Sequence, residues 1–438
     1  MAKSVKHNKA PLTLAQMMPI EPIIRSISVS NFKSFDAVKV DLGDFNVLVG
    51  ANEAGKSNFL EVFAFLRDAA LYGVDGAIAT QGGAEYLRNA QIGARRPLRV
   101  SCEMGYRHAP EVVELGPGAT MEVARVKYEF AIEFDKRGRE FRVVDDRQTL
   151  MGTVTEAGEP SSGRASKSGT AQVVLANQGG QLRWEASFSD GTALQVGDLL
   201  LPFWSGRTLP DKELLLGYTY FSPSASSVLL PFLREIAIYD LNPRLSKGMA
   251  TTTGRRAMQQ DGSNLAVALE EILEDDESRR QLRNFLHDLL PFVEDVAVER
   301  LADHSVSWRL RERFTEDQFL PAYTLSDGTV QITALIIALY FENKDLVIIE
   351  EPDRHVHPSL ASRMVQMMRD VADHRQVIVT THNPELIKHV GIENILLISR
   401  DHQGFSQITR PADNEHLKVF LKNEIGVDEL FVQNLLEV

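Results

Sequence analysis

Cysteine is almost absent: Cys102 stands alone among 438 residues. One thiol closes no internal disulfide and builds no cysteine-based zinc site, which excludes a disulfide-stapled scaffold and fits a reducing, cytoplasmic setting. Long apolar runs are missing too. The longest, Val330 to Phe341, is interrupted by Gln331 and Thr333 and falls short of the roughly 20 residues a membrane span needs. The start, MAKSVKHNKAPLTLAQMMPIEP, has lysines but no apolar core, so no secretory signal and no membrane partner is expected. Positive charge is in deficit: 47 Lys and Arg face 60 Asp and Glu, a formal net charge of −13. That balance argues against coating nucleic acid through a bulk field, while leaving room for a local basic groove. Sustained heptads and internal repeats are absent as well, so no long coiled coil is expected. What remains, 44% hydrophobic and 24% charged residues, is ordinary globular composition in a chain long enough for two or three compact units.

The patterning divides the chain. Residues 1–22 read as a flexible polar tail. Residues 23–96 open on strand-like stretches (IIRSISVSNFKSF, VKVDLGDFNVLVG) followed by a helical one (SNFLEVFAFLRDAA). Residues 97–196 hold short alternating stretches that read as an inserted β-rich lobe, with GEPSSGRASKSGT (158–170) as an exposed loop. Residues 197–300 switch to helical patterning, including VLLPFLREIAIYDLNP, and form a helical lobe. Residues 301–438 then alternate helix and continuous apolar strand, the pattern of a parallel sheet covered by helices. The expected fold is α/β: a P-loop domain built from both chain ends, with a β-rich lobe and a helical lobe inserted between them.

The strongest local signal is Gly50-Ala51-Asn52-Glu53-Ala54-Gly55-Lys56-Ser57, between the apolar strand FNVLV and the helix NFLEVFAFL. Gly50 and Gly55 let the backbone curl so that its N–H groups meet phosphate oxygens. Lys56 brings a cation to the β- and γ-phosphates, the Ser57 hydroxyl suits Mg²⁺, and the helix start adds partial positive charge. A chance glycine-rich turn would lack the strand before and the helix after.

A distant second half completes the pattern. Leu346-Val347-Ile348-Ile349 ends in Glu350-Glu351-Pro352. Carboxylates at such a strand end can hold Mg²⁺ and polarise a water: Glu350 toward the metal, directly or through water, and Glu351 as general base. Ser326 and Gly328, in LSDGT at the head of an apolar helix, make a second anion site or merely a helix cap. His382 follows the strand QVIVT, within reach of a γ-phosphate; a lone histidine there is more often structural, so it counts only with the set.

Together these segments — IRSISVSNFKSF, GANEAGKSN, YDLNP, DGSNLA, LSDGT, IIEEPDRHVHP and VIVTTHNPEL, over about residues 23–400 — resemble the ABC-type ATPases of the SMC/RecF kind. They are most similar to the bacterial ATPases related to the ATPase half of OLD-family nucleases. The resemblance implies ATP and Mg²⁺ as cofactors. It makes Gly50, Asn52, Glu53, Ala54, Gly55, Lys56, Ser57 and Asn58 the Walker A segment and places Asn31, Lys33 and Ser34 against the nucleotide. Ser326 and Gly328 become a signature closing on the opposing subunit's γ-phosphate, Ser57 and Glu350 metal-linked, Asp353 to His357 a D-loop, and Glu351 and His382 the catalytic pair. Two departures stand out: Glu350 replaces the usual Asp, and the Q-loop has only Gln81 and Gln91 as candidates.

The implied activity is ATP-driven, head-to-tail engagement of at least two copies, with hydrolysis separating them, in repair, mobile elements or phage defence. The stretch after His382 is shorter than an independent nuclease domain, so a nuclease or toxin partner is expected as a separate protein. DNA is a further expected partner, resting on Arg95-Arg96, Lys136-Arg137 with Arg139, Arg255-Arg256, Arg279-Arg280, and Arg309, Arg311 and Arg313. His355 and His357 suit the D-loop better than a metal. The alternative is a nucleotide-binding oligomeric scaffold with little turnover.

Overall fold

The computed structural model describes residues 21–116, 119–156, 167–189, 208–217, 225–252, 257–302, 304–315, 318–414 and 427–432. Arg255-Arg256, most of the 158–170 loop and nearly all of the N-terminal tail lie outside them.

Four apolar runs, Phe45–Val49, Leu346–Glu350, Gln376–Thr381 and Ile395–Arg400, are buried along almost their whole length. Strands buried on both faces belong in a parallel sheet covered by other layers. They form the middle of a six-stranded sheet, in the spatial order Ala237–Tyr239, Leu346–Glu350, Gln376–Thr381, Phe45–Val49, Ile395–Arg400, Ser406–Thr409. Only the last pairing is antiparallel. Alternate side chains face two separate cores. Leu48, Ile348, Ile378 and Ile398 join the first, with Phe59, Phe63 and Leu66 of the helical segment Lys56–Thr80, which is broken at Gly73. Val47, Val49, Val347, Ile349, Val377 and Val379 join the second, under the helices Asp327–Tyr340 and Ala361–Ala372. The molecule is mixed α/β, and no long coiled coil occurs among the described residues.

Two boundaries expected from composition do not separate the hydrogen bonding. Strands Pro22–Phe32 and Phe35–Asp41, ahead of the P-loop, share one eight-stranded antiparallel sheet with the 98–188 strands. The β-rich lobe therefore grows out of the N-terminal hairpin instead of standing beyond residue 96. Within the stretch read as helical, Ala237–Tyr239 is a strand paired in parallel with Val347–Ile349. Three residues are too short for period-two alternation to show, and the preceding helix, Ala225–Arg234, masks them. A four-stranded sheet containing Val293–Arg300 and Ser305–Glu312 packs with helices Leu265–Glu274 and Asp276–Leu289. No helix among the described residues is long and apolar enough to cross a membrane.

Candidate active site

The loop after Val49 is shaped by what surrounds it. A Cβ at Gly50 would collide with the carbonyl oxygen of Ile398 on the neighbouring strand. Gly55 sits at φ 115°, and a Cβ there would lie 2.9 Å from Ser34 Oγ. Both positions demand glycine, one for close approach and one for a left-handed backbone. Glu53 also has positive φ, 68°. The loop is braced from behind. Ser406 Oγ donates to the Ala54 carbonyl (2.5 Å) and lies 2.8 Å from Ser34 Oγ, whose own proton can complete that bond, and Asn58 Nδ2 donates to Ser34 Oγ (2.9 Å). Arg400 Nε donates to the Glu53 carbonyl at 2.8 Å. Ala51, Asn52, Glu53 and Ser57 stay exposed, facing outward from a fixed frame. Lys56 is 7% exposed, with Nζ donating to the carbonyls of Gly50 (2.9 Å) and Ala51 (3.0 Å). Burial pulls its ammonium below the usual lysine range, against the opposing pull of Glu351 and Glu350.

The opposite wall comes from the far end of the chain. Register aligns Glu350 with Thr380 and Thr381 with Val49, so the strand ends meet along one edge. Ser57 Oγ hydrogen-bonds Glu350 Oε1 across 293 residues of sequence. Burial raises the Glu350 carboxyl above the ordinary range, Ser57 opposes that rise, and Asp240 and Glu351 add to it. A hydroxyl and a desolvated carboxylate side by side are hard oxygen donors of the kind that suits Mg²⁺. Among the described residues no three His, Cys, Asp or Glu side chains form a metal cage. A cation here would therefore take its remaining ligands from nucleotide and water. The donor set and the glycine-lined loop fit a magnesium–nucleotide together.

Glu351 occupies a left-handed backbone position, φ 44°, with its N–H on the Thr380 carbonyl at 3.1 Å. Its Oε1 meets His382 Nδ1 at 2.8 Å. Its Oε2 accepts from Arg354 Nε (3.2 Å) and Nη2 (3.0 Å). Burial pushes this carboxyl up, but the bonds from Arg354 and His382 outweigh burial and leave it below the ordinary glutamate range. Arg354 Nη1 also reaches Asp240 Oδ1 (3.1 Å), just beyond the strand Ala237–Tyr239. Sequence patterning missed Asp240, Arg354, Arg400 and Ser406. Asp240 and Arg354 lay inside quoted motifs, YDLNP and IIEEPDRHVHP, but nothing local announces lateral partners.

Other expected residues sit differently. Asn31 is fully buried; its Nδ2 donates to the carbonyls of Gly93 (3.0 Å) and Arg96 (2.7 Å), and its Oδ1 accepts from Asn89 N (3.2 Å). It braces the 89–96 segment, with both side-chain amide hydrogens engaged there. Lys33 pairs with Glu61 on the long helix. Ser326 is exposed at the head of Asp327–Tyr340 and caps it, accepting from Thr329 N at 3.1 Å. Gly328 faces the 351–357 loop of its own chain, where a Cβ would lie 2.7 Å from the His355 carbonyl oxygen. Gln81 caps the end of the segment Lys56–Thr80, which breaks at Gly73 (φ 73°) and folds back so that Thr80 Oγ1 donates to Asp68 Oδ2 at 2.8 Å. Gln91 Nε2 donates to the Gln403 carbonyl (3.1 Å), beside the Arg400 turn. His357 Nδ1 caps the next turn through Ser359 N (3.2 Å). In the basic clusters, ion pairs join Arg96 to Asp36, Arg280 to Glu277 (2.8 Å), Arg309 to Glu299 (3.5 Å) and Arg311 to Glu294 (3.4 Å), while Lys136, Arg137 and Arg139 are exposed.

Known proteins show where the similarity lies. Residues 23–89 match a family described as "AAA ATPase domain", and residues 237–388 one described as "AAA domain, putative AbiEii toxin, Type IV TA system". Both halves of the site therefore fall in segments that resemble AAA-type ATPase domains. The chain is 24% identical over 151 residues to the uncharacterized protein MJECL43 of Methanocaldococcus jannaschii, covering 31% of this chain and 39% of that protein. It is 22% identical over 90 residues to the Septu protein PtuA of Bacillus thuringiensis, covering 19% and 23%. Thus the chain spans well under half the length of either relative. Among solved structures, an SMC head bound to the C-winged helix domain of ScpA has a TM-score of 0.48 at 13% identity, covering 88% of this chain and 96% of that one. An SMC head with an extended coiled coil, bound to the C-terminal domain of ScpA derived from Pyrococcus furiosus, has a TM-score of 0.46 at 12% identity, covering 92% and 100%.

Proposed function

We propose that this chain is a Mg²⁺-dependent ATPase that works as a nucleotide-driven switch between separate and engaged copies. The observation that carries the reading is the junction of both chain ends: Ser57 on Glu350, with the next residue, Glu351, 2.8 Å from His382. Lys56 Nζ rests on two carbonyls of its own loop, and phosphate oxygens can replace them as its partners. Mg²⁺, when bound, would screen the phosphate charge between Ser57 and Glu350. In hydrolysis a water oxygen bonds the terminal phosphorus as that atom's bond to the bridging oxygen breaks. ADP and inorganic phosphate result, and the water's proton passes to the Glu351 carboxylate. His382 orients that carboxylate. Ser326 stands exposed at the head of its helix, which supports its serving a second copy's nucleotide.

The toxin and toxin–antitoxin wording of the matched family, with the match to a Septu protein, supports a defence or toxin setting with a separate protein partner. Phosphate release from ATP tests the core of this: Lys56→Ala should lower it by roughly two orders of magnitude. Equal rates in both proteins would sink the reading. A scaffold with little turnover is favoured by one feature, the engagement of both Glu351 oxygens. For a scaffold, Glu351→Gln changes nothing.

A further inference from the structure

We infer that Arg354 is a positioning residue that holds Glu351 idle in a lone chain, and that pressure on the head of the Asp327–Tyr340 helix releases it. This rests on the ATPase reading above and adds the control of its general base. A base must turn a carboxylate oxygen toward the attacking water. Oε1 of Glu351 is committed to His382, and Oε2 lies in the fork of Arg354. Both guanidinium nitrogens converge on that one oxygen while His382 holds the other, so the two partners together fix the carboxylate. Arg354 is itself anchored by Asp240 at 3.1 Å, so it ties Glu351 to the end of the adjacent strand.

The loop that carries Arg354 is held from the other side by the exposed helix head. Gly328 abuts the His355 carbonyl so closely that a Cβ would stand 2.7 Å from it. Gln331, 1% exposed, donates to the Pro352 carbonyl at 3.4 Å. Asp353 accepts from Thr381 Oγ1 at 3.1 Å. Two non-glycine residues of this loop, Glu351 and His355, hold positive φ of 44° and 67°, conformations that persist only while their surroundings enforce them. A displacement of Gly328 therefore meets the backbone one residue from Arg354, with no slack between. The copy that docks against Ser326 would free the base of the chain it docks on.

The test is ATP turnover per chain over a protein dilution series, for wild type, Arg354→Ala, Arg354→Gln and the Lys56→Ala control. Wild type should turn over faster per chain as concentration rises. Both Arg354 variants should raise kcat at the dilute limit about three- to fivefold, the scale of a half-exposed ion pair, with KM for ATP unchanged and the concentration dependence flattened. Arg354→Lys, which keeps the charge without the fork, should fall between. A purely structural Arg354 would instead lower kcat at every concentration, and that result overturns the inference. If wild type exceeds Lys56→Ala but neither Arg354 variant rises, the inference fails and the ATPase reading stands. If all four match background, both fail.

Discussion

Ser406 and Asp146 show how much of this chain's behaviour lies in single side chains that no motif contains. Ser406 stands between the Ala54 carbonyl and Ser34 Oγ, behind a loop whose front must meet phosphate. Ser406→Ala leaves both groups short of a partner in a buried place and should weaken ATP binding about tenfold, measured by titration with a fluorescent ATP analogue. Asp146 is fully buried in the large sheet, accepting from Leu215 N at 2.6 Å, and burial raises its carboxyl to about 7. The folded state therefore holds a proton that the unfolded chain loses near pH 4. Stability contributed by that proton is present at low pH and fades as pH climbs from about 4 to 7, by up to about 4 kcal/mol. Asp146→Asn should melt higher than wild type at pH 8 and close to it at pH 5. Lys56, Ser57, Glu350 and Glu351 were legible because each sits in a contiguous segment with its own chemistry. Ser406, Asp240 and Arg354 were not, because their roles come from lateral neighbours that only the sheet order supplies.

Among the elements, those with continuous apolar strands and helical spacing were the readable ones, since burial on both faces leaves a run such as FNVLV or QVIVTT without polar interruption. Ala237–Tyr239 escaped because three residues carry no period, yet this strand places Asp240 opposite Arg354. The helix Asp327–Tyr340 is buried almost all round and exposed only at its head, so its start is where an outside contact can act. Adding one methyl group at Gly328 would force that head and the His355 carbonyl apart. Gly328→Ala, which imposes the displacement that frees Glu351, should raise turnover of dilute protein about threefold and keep ATP affinity within about twofold. Equal losses of turnover at every concentration would contradict that release.

At the scale of the molecule, two sheets that composition suggested as separate lobes are joined by one buried side chain. Gln376 Oε1 accepts from Ile24 N (3.0 Å), and its Nε2 donates to the carbonyls of Ile24 and Gly43 (both 2.8 Å). It fills the place of ladder bonds where Pro22–Phe32 is irregular between Ile24 and Ser26. Gln376→Ala orphans two buried backbone groups and one part-buried carbonyl and should destabilise the chain by about 2–4 kcal/mol, read from the denaturant midpoint. Arg107 reinforces the joint through the Ala372 carbonyl at 2.8 Å. The same union lets residues about 300 positions apart close around one nucleotide, and Glu351→Gln interrogates it most directly. Light scattering with assay of the bound nucleotide should find this variant holding uncleaved ATP, one per chain, in a particle of twice the chain mass that forms only with Mg²⁺ and ATP. A variant that still cleaves ATP at the wild-type rate, or whose mass ignores nucleotide, would contradict the account.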